Sequence, residues 1–250
     1  MNILITAGGT VERIDNVRSI TNISTGRLAL LIAEAFAALG ETERIFFVCG
    51  SKALRPNTEK AEIFPIESVA ELIEIVTELS RTQKVDAVVH AMAVSDYSVR
   101  AVSTAGAIAE DALNRASSGA DMCGALREAL ACAEGFSRGG KIPSDAEDLV
   151  IFLQRTPKVI SMLRGLLPQA VTVGFKLLDG VSETQLIEVA YALLKRNGCD
   201  FVLANDLCNI GGDRHVGHLI DRYGDYTVYN SKEEIARGVV GAVMREGMNK

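Results

Sequence analysis

Asn22, Ser24, Thr25 and Gly26 stand together in the stretch TNISTGRLALLIAE (21–34), just before a run of apolar residues at helical spacing. Hydroxyls and a glycine at a helix start suit two jobs. Ser and Thr cap the first N–H groups, and a helix start with free N–H groups and the positive end of its dipole binds an anion such as phosphate. Capping accounts for Ser24 and Thr25. It does not account for the amide of Asn22, nor for Arg13 and Arg18 upstream, which are fixed positive charges suited to phosphate. The polar connection VERIDNVRSITNISTG (11–26) is also long, where a strand-to-helix loop usually takes about 2–6 residues. The stretch is therefore read as an anion-binding helix start with Asn22 reaching over it.

Other candidates lie at the ends of apolar runs. TAGGT (6–10) supplies Gly8, Gly9 and Thr10, either a tight turn or a place where backbone N–H groups cradle an anion. HAMAVSDY (90–97) ends in Asp96, which could hold Mg²⁺ or a ligand hydroxyl, or cap a turn. Ala91 and Ala93 would let a ligand lie close to the backbone, and His90 reads as a satisfied core histidine. In GGKIPS (139–144), Lys141 is either a surface lysine or a charge on a hinged loop that swings onto a polyphosphate. VGFKLL (173–178) offers backbone groups of Gly174 and Phe175 to a base or ring. LANDL (203–207) offers Asn205 and Asp206, to a site or to a turn.

These residues need a scaffold. Branched apolar runs at 2–8, 44–50, 61–66, 85–94, 170–178 and 200–206 read as strands, with Pro65 consigning the third to an edge. Helical spacing marks 25–39, stopped by Gly40, then 69–80, 156–167 with Pro157 in its first turn, and 184–198. Residues 215–230 read as a hairpin turning near Gly224-Asp225. Residues 231–246 read as a last helix, capped by Ser231 with Glu234 three residues on. Strands without period-two polarity that alternate with helices predict an α/β fold: a Rossmann-like, mostly parallel sheet with helices on both faces and a C-terminal antiparallel hairpin. Residues 98–146 are Ala-, Gly- and Ser-rich, partly helical around 120–134, and read as an inserted flap in a single domain spanning 1–250.

The bulk properties narrow the classes. A 48% hydrophobic, 23% charged chain of 250 residues is an ordinary globular composition, and a net charge of -6 argues against nucleic-acid or membrane partners. No run approaches the roughly 18 apolar residues of a membrane span, and MNILITAGG carries no signal-peptide pattern. Five scattered cysteines, with no C-x-x-C pair, read as reduced thiols, mostly buried as small hydrophobes, in a cytoplasmic protein.

Taken in order, ILITAGGTVERIDNVRSITNISTGRLA, AMAVSDY, KIPS, VGFKLL and FVLANDL resemble the phosphopantothenoylcysteine synthetase family over residues 2 to 246. With the glycine motif at its start, the chain resembles the stand-alone bacterial form. AMAVSDY and GFKLL, and with them Met92, match that branch. The resemblance implies a ligase that joins 4′-phosphopantothenate to L-cysteine in coenzyme A biosynthesis, using Mg²⁺ and CTP, with ATP as the alternative, through an acyl-nucleotidyl intermediate. It implies that Asn22 holds the activated acyl group and that Ser24, Thr25 and Gly26 bind phosphates. Asp96 contacts the intermediate, beside Met92 and Ala93, and Lys141 neutralises charge on the phosphates. Phe175 and its neighbours face the base, and Arg18 lies near the interface of a homodimer and helps hold the substrate phosphate. The metal ligands are not assigned.

Two other readings compete. A dinucleotide-dependent reductase would want G-x-G-x-x-G and an acid after the second strand, but the sequence gives adjacent Gly8-Gly9 and VCGSK. A non-catalytic nucleotide-binding module could keep the glycine turn without Asn22 and Lys141, and both are present.

Overall fold

The structure is a computed structural model that describes residues 1–133, 135, 140–211 and 214–248. In chain order its strands are β1 (Asn2–Ala7), β2 (Val11–Arg13), β3 (Ser19–Thr21), β4 (Arg44–Gly50), β5 (Ala61–Ile66), β6 (Ala87–His90) and β7 (Tyr97–Thr104). There follow β8 (Leu149–Arg155), β9 (Val171–Leu178), β10 (Phe201–Asp206), β11 (Ile210–Gly211), β12 (Arg214–His215), β13 (Gly217–Asp221) and β14 (Tyr226–Tyr229). The helices are α1 (Arg27–Ala37), α2 (Val69–Thr82), α3 (Ala105–Ser117), α4 (Met122–Ala131), α5 (Val159–Leu166), α6 (Glu183–Asn197) and α7 (Lys232–Gly247). Two compact units divide the chain. The first comprises Met1–Thr10, Asn22–Val94 and Lys158–Lys250, and the second comprises Val11–Thr21 and Ser95–Pro157.

The first unit is built on an eight-stranded sheet in the order β14-β13-β10-β9-β6-β1-β4-β5. The six strands from β10 to β5 run parallel, and β13 and β14 add antiparallel strands. Alternation along β1 explains the layers. Ile3 and Ile5 point to the side where Ile32 and Phe36 of α1 and Val239 and Val243 of α7 pack. Leu4 points to the other side, with Leu72 and Val76 of α2 and Leu163 of α5. Helix α6 covers Val202, Ala204 and Ile220 through Leu186, Ala190 and Leu194. The Rossmann-like reading, with helices on both faces and a C-terminal hairpin, is borne out, and Pro65 lies on an edge strand.

Some ends differ from the sequence reading. Helix α1 stops at Ala38, before Gly40, because Leu39 N–H turns back to the Phe36 carbonyl. Pro157 precedes α5, whose N-cap is Lys158. Gly198 does stop α6 in a left-handed conformation, and Ser231 accepts from Glu234 N–H to open α7.

In the second unit β7 and β8 pair antiparallel, with an irregularity between Val99 and Ala101. Val150 and Phe152 on one face of β8 pack under Ile108 and Ala112 of α3 and Ala129 of α4. The alanine-rich run is thus a helical hairpin, because small residues let α3 and α4 approach. Its N-caps are Thr104 and Asp121. Arg100 donates to the carbonyls of Leu130 and Ala131 and stacks on Phe152, which closes the last turn of α4. Within the helical stretch expected at 120–134, Glu134 lies outside the described residues, as does Gly139 of the GGKIPS motif. The polar connection at 11–26 carries a small hairpin, β2–β3, that the sequence did not reveal. Ile14 and Ile20 from this segment pack with Val99, Val102 and Ile142.

Of the five cysteines, Cys49 and Cys199 are buried, but Cys123, Cys132 and Cys208 are exposed, contrary to the reading of mostly buried thiols. On α4 the inward positions belong to Ala125 and Ala129, which turns Cys123 outward. Among the described residues no helix is long and apolar enough to cross a membrane.

Asp200, 5% exposed, gathers elements at the amino end of β10. It accepts from Thr172 N–H at 2.8 Å, Arg164 at 2.8 Å and Arg222 at 2.7 Å, and Arg222 also pairs with Glu246 of α7. Removing one partner of such a cluster strands the others. Asp200→Ala is expected to lower unfolding free energy by about 2–3 kcal/mol, seen as a lower urea midpoint at unchanged slope.

Candidate functional site

The chain runs from β1 outward to β4 and β5, then returns to lay β6 on the other side of β1. The crevice beyond the carboxyl ends of β1 and β6 is therefore the topological switch point, where open α/β sheets bind ligands. Gly8, Gly9 and Thr10 leave β1 there, and Ala91, Met92 and Ala93 leave β6.

Main-chain bonds extend the pairing past both strands. Ala93 N–H donates to Gly8 O at 2.8 Å, and Ala93 O accepts from Thr10 N–H at 3.2 Å. The same oxygen accepts from Asn22 Nδ2 at 3.3 Å. Gly9 makes this approach feasible, since a Cβ on it would sit 2.2 Å from Asn22 O. The chain then turns through Gly26, whose φ of 70° is left-handed and whose Cβ would sit 3.1 Å from Gly8 N.

Gly26, and not Ser24 or Thr25, is the N-cap of α1, and no side chain caps this helix. Ser24 Oγ accepts only from Gly26 N–H, and Thr25 Oγ1 only from Arg27 N–H, each at 3.4 Å. Thr25 thus meets only the first N–H of the helix, and Ser24 stops at the cap residue. Thr25 O accepts from Leu54 N–H at 3.0 Å, tying the loop to the chain after β4. The result is a half-buried amide, two hydroxyls and an uncapped helix start in one crevice, the donor set for an anion.

Beneath the crevice His90 is the satisfied core histidine that the sequence suggests, with Thr6 as its partner. Thr6 Oγ1 accepts from Met92 N–H at 3.3 Å and lies 2.8 Å from His90 Nδ1. The two side chains are hydrogen-bonded to each other, and the imidazole is neutral at pH 7. Burial presses the imidazole pKa down to about 4. Met92, 7% exposed, packs with Leu4 and Val48.

The remaining first-unit candidates are held inside the fold. Gly174 is the last β9 residue paired with β6, and a Cβ on it would meet Ile160 Cδ1 at 2.8 Å, so its missing side chain makes room for α5. Phe175 packs on the α1–α7 side of the sheet. Asn205 is buried and donates from Nδ2 to Val216 O at 2.8 Å, which pins the chain entering β13. Asp206 accepts from the N–H groups of Gly180, Val181 and Cys208. Those bonds to Val181 and Cys208, ahead of burial, keep its carboxyl below the usual range.

In the second unit, Arg18 pairs with Asp15 at 3.2 Å. Asp96 is exposed, and its carbonyl accepts from Thr156 N–H at 3.1 Å. Lys141 is exposed and Arg13 is exposed on β2. The motifs did not point to Asp15. Its one sequence sign is an Asp placed to bond the N–H groups two and three residues on, an Asx turn.

Among the described residues one group of potential metal donors is Asp179, Asp206 and Cys208. It does not fit Mg²⁺, which takes oxygen ligands in octahedral geometry, because the Asp206 oxygens are committed to backbone N–H groups and Cys208 offers sulfur.

The His90 environment sets a pH dependence. The unfolded chain takes up the imidazole proton near 6.5 and the folded one only near 4. Stability from this group is therefore full above pH 6.5 and falls as pH drops toward 4, by about 3 kcal/mol in all. Urea unfolding at pH 7 and pH 4.5 is expected to show most of this loss in the parent protein and its absence in His90→Asn.

Comparison with known proteins bears on the fold and the family. The coenzyme A biosynthesis bifunctional protein CoaBC of Thermococcus kodakarensis is 32% identical over 220 residues, 88% of this chain and 45% of that protein. The chain thus spans about half the length of the curated relatives it matches. The crystal structure of the DNA/pantothenate metabolism flavoprotein from Streptococcus pneumoniae is 31% identical, covers 98% of this chain and 99% of that one, and superposes with a TM-score of 0.80. Cab2, solved as an H337A mutant in complex with phosphopantothenate-cysteine, shares the fold at 19% identity and a TM-score of 0.68, over 99% of this chain and 86% of that one. The family model for the DNA/pantothenate metabolism flavoprotein C-terminal domain matches residues 1–112 and 135–246, and the chain belongs to that family.

Proposed function

We propose that the chain joins 4′-phosphopantothenate to L-cysteine in coenzyme A biosynthesis, with CTP as the activating nucleotide. The observation that carries this reading is the placement of the Asn22 amide on the Ala93 carbonyl at the switch point, beside an uncapped helix start. Membership of the family and the likeness to CoaBC support it. The phosphopantothenate-cysteine bound by Cab2 is the product expected of the reaction.

Bonds balance in two steps. A carboxylate oxygen of phosphopantothenate attacks the α-phosphorus of CTP, and the bond to the bridging oxygen breaks to release pyrophosphate. The cysteine amine then attacks the acyl carbon, CMP leaves with the bonding pair, and the amine gives up a proton. Both steps build negative charge on phosphate or acyl oxygens, which fixed donors stabilise without reorganising. The N–H groups at the start of α1 are such donors, and so is the Asn22 amide, held to one orientation because only its nitrogen can donate to a carbonyl.

The resemblance assigns Arg18, Asp96 and Lys141, on the second unit, to the phosphates and the intermediate. Mg²⁺ enters with the nucleotide as its polyphosphate complex. ATP is the competing nucleotide. A homodimer belongs to the same reading: Leu149, Ile151 and Leu153 leave an apolar strip on one face of β8, 39–46% exposed, suited to a second copy.

The test is release of pyrophosphate and CMP from the purified chain with phosphopantothenate, Mg²⁺ and CTP or ATP, with and without cysteine. Release that depends on phosphopantothenate, with cysteine completing CMP formation, is expected with CTP. Asn22→Asp turns the amide donor into an anion against a carbonyl and should lower kcat by about 10²–10³-fold. No turnover with either nucleotide would overturn the reading.

A further inference from the structure

Asp15 is 2% exposed, and its carboxylate serves two pieces of chain far apart in sequence. It accepts from Val17 N–H at 2.7 Å and Arg18 N–H at 2.6 Å, and from Arg18 Nη1 at 3.2 Å. The oxygen that meets the guanidinium also accepts from Ile142 N–H at 3.1 Å, across 127 positions. Ile142 is 1% exposed and packs with Val99 and Val102 among Ile14 and Ile20. Lys141, the next residue back, is exposed.

Such a carboxylate is costly to bury. Burial alone would lift its pKa, and the three backbone donors with Arg18 outweigh that and hold it below the usual carboxylate range. An apolar residue at position 15 could equally pack on Ile142. Only an acceptor can fix the Ile142 main chain and, with it, the direction in which Lys141 departs.

Resting on the function proposed above, we infer that Asp15 is a positioning residue: one buried anion sets both Arg18 and the Lys141–Ile142 segment, the two cations assigned to the phosphates. It touches no substrate and acts through those neighbours.

Two readouts on the full chain test this. Trypsin cuts after lysine, and the Lys141–Ile142 bond is shielded when the Ile142 N–H and side chain are both held. In Asp15→Asn, cleavage at that bond is expected to quicken on the order of tenfold, because the open form becomes more populated. Cleavage there within twofold of the parent overturns the inference.

The second readout is a double-mutant cycle on turnover. Asp15→Asn is expected to lower kcat on the order of tenfold, and to add little further loss in a Lys141→Ala background. Losses that multiply in full would mean that Asp15 does not act through Lys141, and would also overturn it. If Asp15→Asn does not fold, Asp15→Glu takes its place under the same criteria. Should the parent show no turnover at all, the proposed reaction fails, and proteolysis still decides whether Asp15 anchors this segment.

Discussion

The carbonyl oxygen of Ala93 has two lone pairs, and both are used: one by the Thr10 N–H and one by the Asn22 side chain. The geometry of the crevice follows from that economy. The first bond prolongs the β1–β6 ladder beyond the regular strands, so the backbone around Gly9 is held as firmly as sheet. The second hangs an amide from this rigid edge. Neither arrangement survives a side chain at Gly9, since the main chain of Asn22 fills the space a Cβ would need. The Thr6–His90 pair supports the same edge from below by holding Met92 N–H. The Asn22 amide is thus held in place by backbone geometry, which leaves little side-chain freedom to be lost if a ligand binds there.

Much of this could be read from residues. Ile3, Leu4 and Ile5 with no polar alternation demand cover on both faces, and the sheet has it. Gly198 and Ser231 mark helix ends because their chemistry is local: a left-handed turn and a hydroxyl within reach of an N–H. The clustering of Gly8, Gly9, Asn22 and Ala93 was legible because strand ends in a parallel sheet converge.

What was not legible depends on partners distant in sequence. The exchange of Gly26 for Ser24 or Thr25 as N-cap follows from the close approach of Gly8 and Ala53, a tertiary constraint that overrides capping preference. The alanine-rich segment hid α3 because its interior is made of small side chains that carry little periodic signal, while α4 falls within the stretch that reads as helical. Strand β8 is an apolar run like those of the main sheet, yet it pairs with β7 in the second unit. Asp15 looks like a turn former until Ile142 is seen to donate to it.

The second unit is assembled from two separate pieces of chain, Val11–Thr21 and Ser95–Pro157. During synthesis the first piece emerges long before its companion, so Ile14 and Ile20 wait with their apolar surfaces unsatisfied while about 80 residues are added, some seconds at ordinary translation rates. Closing so long a loop costs little equilibrium free energy, since the penalty grows only with the logarithm of its length. The delay is kinetic, because contacts remote in sequence form late. A nascent chain arrested before residue 95 would carry an unpartnered β2–β3 hairpin, the kind of exposed edge and apolar surface that chaperones bind.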